Sequence, residues 1–98
     1  MILVTGSLVA KPETLTELRQ ICIAHSTRSR TDPGCLSHDV HSDCENPLRL
    51  VFLERWSDLD ALRVHFGRAD ARGFVKAARA LAAGGAPMEI LDTTPVSV

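Results

Sequence analysis

The sequence predicts an α+β fold whose elements follow the order β-α-β-β-α-β. Three observations carry that reading. Apolar and polar residues alternate with period two over Cys35–His41 and Leu50–Trp56. Apolar residues recur at helical spacing after Leu15 and again between Leu59 and Leu81. Asp32-Pro33-Gly34 and Glu45-Asn46-Pro47 are turn signals that separate these segments. At 98 residues the chain suits one domain, taken here as residues 1–98.

The first strand is Ile2-Leu3-Val4 through Leu8-Val9, apolar on both faces. Pro12 suits a first helical turn, and Thr14-Leu15-Thr16-Glu17 has capping-box spacing. Leu15, Leu18, Cys22 and His25 make the inner stripe of a helix of roughly four turns, which fades over Ser26 to Thr31. In the second strand Leu36, His38 and Val40 alternate with Cys35, Ser37, Asp39 and His41. In the third, Leu50, Phe52, Glu54 and Trp56 share one face, and Val51, Leu53 and Arg55 the other. The short link makes these two a hairpin. Ser57 is the expected N-cap of the next helix, with Leu59, Leu62 and Phe66 inward. Gly67 interrupts it, a further helical stretch runs from about Asp70 to Leu81, and Gly84-Gly85 marks its stop. Met88 to Leu91 is a last short strand, and Thr93 to Val98 a tail.

This order is ferredoxin-like: a four-stranded antiparallel sheet with the helices on one face. Apolar residues stand on both faces of strands one and three, and no element remains to cover the second face. A second copy of the sheet is the expected cover, which predicts a homodimer.

Composition narrows the function. Tyrosine is absent and the aromatics are four, too few for a platform on which nucleic-acid bases stack. A net charge of −1 gives no footprint for a polyanion, so nucleic acid is not expected as a partner. The apolar start, Met1 to Ala10, is too short for a membrane span and lacks a signal peptide's basic flank. Three cysteines without such a leader suit reduced thiols and a cytoplasmic location.

Cys35-x-x-His38-x-x-His41-x-x-Cys44 has zinc-ligand residue types, but not zinc geometry. On a regular strand its members alternate faces, and two sharing a face lie roughly 20 Å apart. No metal site is expected from it. His65 follows Leu62 by three, beside the buried stripe, where an imidazole either holds a backbone carbonyl or serves as general base in a pocket between helix and sheet. Glu54, between Phe52 and Trp56 on an apolar face, needs a charged partner or a polar cavity. Trp56 is core or ligand platform. His38 reads as a satisfied interior histidine, His25 as structural, and Cys22 as a small core residue. Thr5 and Ser7 share a face of strand one and either line a cavity or fill space. Arg68, Arg72, Lys76 and Arg79 read as a solvated face. There is no glycine-rich phosphate loop, dinucleotide fingerprint or nucleophile elbow.

Asp32-Pro33-Gly34-Cys35-Leu36, Leu53-Glu54-Arg55-Trp56-Ser57-Asp58, Ala61-Leu62 with His65, and Phe74 together resemble the recurring signature of the antibiotic biosynthesis monooxygenase family. The resemblance implies a dimeric α+β barrel and oxidation of a phenolic, quinol or polyketide-like aromatic substrate by dioxygen, without metal, flavin or haem. It implies catalytic roles for His65, Glu54 and Trp56, and substrate contacts from His38, Thr5, Ser7, Phe52 and Phe74. Haem degradation is disfavoured, because that branch carries tryptophan at the His65 position and an iron-ligating histidine some ten residues later, near Val75 here. The alternatives are a non-catalytic dimeric binding module and an isomerase of a small phosphorylated or keto sugar.

Overall fold

The computed structural model describes residues 1–98. Its elements are β1 (Ile2–Ala10), α1 (Leu15–Ser29), β2 (Cys35–Asp43), β3 (Asn46–Trp56), α2 (Leu59–Gly67), α3 (Ala69–Leu81) and β4 (Ala82–Asp92). The strands form one antiparallel sheet in the order β2-β3-β1-β4, so the fold is the ferredoxin-like one, its second helix broken at Gly67 into α2 and α3.

The interior lies between the helices and the sheet face that carries Val4, Leu50, Phe52, Glu54 and Trp56. One apolar cluster joins Leu18 and Cys22 of α1 and Ala78 of α3 to Ala10, Leu50 and Phe52. A second packs Leu62 of α2 on Ile2, Val4 and Trp56. At about 25 cal/mol per Å² of apolar surface, each fully buried Leu contributes roughly 1.5–3 kcal/mol. The opposite face is also apolar: Leu3, Val51 and Leu53 are only half-buried, and Leu91 is exposed.

Four local expectations are corrected. A bulge at Leu36 makes Cys35 face Trp56, while Ser37 and His38 face Arg55 and Glu54. The extra residue reverses the alternation upstream of it, so Cys35 joins His38 on the inner side and Leu36 is exposed. The capping box at Thr14 does not form: the Thr14 hydroxyl donates to the Leu81 carbonyl at 2.7 Å and ties α1 to the end of α3. Asp58, not Ser57, caps α2, its carboxylate accepting from the Ala61 N–H at 2.8 Å. Gly84-Gly85 lies within a strand of eleven residues that begins directly after Leu81. A Cβ at Gly85 would collide with the Ser7 carbonyl, so glycine is what lets β4 approach β1 there.

Candidate functional site

The type of turn at Asp32-Pro33-Gly34-Cys35 governs the site. The Cys35 N–H donates to the Asp32 carbonyl at 3.1 Å, Pro33 holds the second position, and Gly34 has φ +82°. That left-handed conformation favours glycine, and a Cβ at Gly34 would stand 2.5 Å from Ala61 Cβ and 2.8 Å from Ser57 Oγ. The Ser57 N–H donates to the Gly34 carbonyl at 2.8 Å. The turn is thereby pressed against the start of α2, and Asp32 reaches a residue 33 positions away. Its Oδ2 lies 2.7 Å from Nδ1 of His65. Its other oxygen lies 3.4 Å from Nε of Arg68, half-exposed at the head of α3.

Beside this dyad stands a second buried network. Trp56 Nε1 donates to Glu54 Oε1 at 3.0 Å. His38, fully buried, has Nδ1 2.8 Å from Ser26 Oγ. Its Nε2 lies 3.3 Å from Glu54 Oε1, close enough for an ion pair but off the line of a hydrogen bond, and has no other partner. Burial alone would push the Glu54 carboxyl up; the adjacent His38, the Trp56 indole and the nearby His65 outweigh it and hold it below the usual carboxylate range. His25 stacks face to face on Phe74, ring centroids 4.0 Å apart. Burial, then the proximity of His38 and His65, pushes its imidazole down to about 4, so it is neutral at pH 7. Burial likewise pushes the Cys22 thiol up to about 12, leaving it a small apolar side chain.

Beside these networks lies a cavity of about 290 Å³ between helices and sheet. His25, His65, Glu54, Phe52 and Phe74 line it, with Ser7 on the β1 side and Val75 and Arg79 on α3. Of the residues expected at a site, Glu54, His65, Ser7, Phe52 and Phe74 therefore meet at one cavity. His38 and Trp56 lie behind its wall, Trp56 with its ring centroid 4.6 Å from that of His65. Thr5 is absent from the lining and sits half-buried beside Leu53 and Glu89. Arg68 and Arg79 are not simply solvated: one binds Asp32 and the other borders the cavity. His41 and Cys44 are exposed and stand apart from the buried histidines, so the Cys-His-His-Cys run gathers around no common point.

Sequence reasoning missed Asp32, Ser26 and the place of His25 at the cavity, having read that histidine as structural. Asp32 reads as an ordinary turn residue, and nothing local marks its distant partner. His25 falls on the same stripe as Leu18 and Cys22, which was signal enough to place it inside.

The arrangement is a carboxylate-oriented imidazole at an apolar cavity, with a buried anion nearby. The model of the antibiotic biosynthesis monooxygenase family matches residues 1–77. A crystal structure of an antibiotic biosynthesis monooxygenase superposes with TM-score 0.88 at 25% identity, covering 97% of this chain and 100% of the other. A structure from Deinococcus radiodurans, described as a candidate member, gives TM-score 0.94 at 22% identity over 100% and 97% of the two chains. Rv0793 from Mycobacterium tuberculosis gives 0.88 at 22% identity over 99% and 98%. The uncharacterized protein sll1783 of Synechocystis sp. is 31% identical over 65 residues, a match covering 66% of this chain and 44% of that protein's length.

Proposed function

The chain belongs to the antibiotic biosynthesis monooxygenase family, and from that premise we propose that it oxidises an electron-rich phenol or quinol with dioxygen, His65 serving as general base. The Asp32–His65 pair at the edge of an apolar cavity carries this reading. A carboxylate can only accept, so the Nδ1 facing it bears the proton and Nε2 is left as proton acceptor. Removing the phenolic proton loads the ring with electron density. A ring carbon then reduces dioxygen: a C–O bond forms to one oxygen, the O–O bond breaks, and the other oxygen leaves as water. The water takes the hydroxyl and ring hydrogens of the substrate, so phenol and dioxygen become quinone and water. No external reductant enters this balance, and the reaction calls for no flavin. Phe52 and Phe74 supply the apolar walls, and Glu54, anchored by Trp56, fixes the electrostatics of the inner end.

A homodimer belongs to the same proposal. Leu3, Val51, Leu53 and Leu91 give the sheet's outer face an apolar surface that a second copy would cover. Sedimentation of the wild type is expected to give a dimer at micromolar concentration, and a stable monomer there would remove that part.

The chemistry is tested by oxygen uptake of chelator-treated protein with reduced quinols and polycyclic phenols. Turnover above the spontaneous rate is expected, falling about 10²–10⁴-fold in His65→Ala with the fold retained. No acceleration across the panel would favour the binding module or the sugar isomerase instead.

A further inference from the structure

Three of the four histidines converge at the inner end of the cavity, from three different elements: His25 of α1, His38 of β2 and His65 of α2. Each has a ring nitrogen within 4.8 Å of a ring nitrogen of the other two, and all three side chains are buried. Packing alone does not account for this. Two of the rings are held at Nδ1 by a second group, His65 by the Asp32 carboxylate at 2.7 Å and His38 by Ser26 Oγ at 2.8 Å. That is the outer-shell pattern which orients a ligating histidine and leaves Nε2 to an ion. Nε2 of His38 is buried without a hydrogen-bond partner, a position that a native interior rarely leaves empty. Glu54, 3.3 Å from that nitrogen, puts a negative charge beside the cluster.

We propose that His25, His38 and His65 form a three-imidazole site for a divalent transition ion of the zinc or copper class. Imidazole nitrogen suits these ions, and three histidines with one open position is a known zinc arrangement. Nitrogens bound ~2.0–2.1 Å from one tetrahedral ion lie about 3.3 Å apart, so the three rings close in by side-chain rotation of about 1 Å. His25 and His65 line the cavity, which leaves it beside the ion to admit a water or a ligand oxygen. Such a site is independent of the oxidation proposed above, but it bears on it. The nitrogen of His65 that would take a proton is the one that would bind the ion, so a bound ion and a free base at His65 exclude one another.

The test is titration of chelator-stripped, full-length protein with Zn²⁺ in competition with a chromophoric chelator, together with imidazole ¹⁵N spectra of the wild type. One ion per chain is expected, moving the resonances of three histidines and sparing His41. His25→Phe keeps the stack on Phe74 while deleting a ligand and should weaken binding at least 100-fold. Asp32→Asn, which removes only the outer-shell carboxylate, should weaken it about 10–100-fold. His41→Ala and Cys44→Ser should change nothing. Binding below one ion per chain, shifts confined to His41, or loss of binding in Cys44→Ser with His25→Phe unaffected would each overturn the site. None of these readouts involves turnover, so the result stands apart from the oxygen-uptake experiment. If both hold, added Zn²⁺ slows oxygen uptake.

Discussion

The two halves of α1 present the same stripe to the same sheet, yet they bury different chemistry. Leu18 and Cys22, in the first half, lie in an apolar cluster with Leu50 and Phe52. His25, Ser26 and Ser29, in the second, are also buried and lie among histidines and polar bonds. Helical spacing of three and four residues says which side chains go inside; it does not say whether they meet a core or a site. The change occurs over a single turn, and it coincides with the arrival of the bulged strand β2 beneath the helix.

Breaking the apolar half should have the largest effect. Leu18→Ala leaves a void among fully buried side chains and is expected to cost about 2–5 kcal/mol, read by chemical denaturation, with little dependence on pH. In the polar half the cost should depend on pH. The folded-state pKa of His25 lies near 4, below its unfolded value of 6.5, so the unfolded chain binds the extra proton between those limits. The stability from keeping His25 neutral is present above pH 6.5 and is lost as pH falls toward 4, by up to about 3 kcal/mol. His38 and His65 add to the penalty on protonation, as Arg28 does, and Glu54 opposes it. In chelator-treated His25→Phe that part of the acid loss should vanish; an unchanged stability–pH curve would show that His25 is not the group responsible. Ser26→Ala should have the smallest effect, about 1–3 kcal/mol, because it leaves Nδ1 of His38 unpartnered in a dry interior. Equal pH dependence in Leu18→Ala and His25→Phe would erase the distinction between the halves.

What the sequence showed and what it hid follow the same division. Period-two and period-3.6 patterns depend on near neighbours, so β1, β3 and the three helices were legible from Ile2, Phe52, Leu62 and their companions. The single residue inserted at Leu36 was not: one bulge reversed the expected side of Cys35 while leaving His38 and Val40 in phase. The start of β4 was hidden because Ala82 to Pro87 holds small residues, two glycines and a proline, which an edge strand tolerates but does not advertise. At the site, His65, Glu54 and Phe52 could be named because they interrupt or extend an apolar stripe. Asp32 could not, since its role depends on a partner 33 residues away.

At Gly34 the support of the site is steric. What holds Asp32 on His65 is a clearance, the space above Ala61 that a methyl group would fill. The orientation of the imidazole is thus specified by an atom the chain lacks, at a position with no functional group of its own. Selection on the chemistry would fall there as heavily as on the acid or the base, so tolerance to substitution traces the mechanical support of a site as well as its reacting groups.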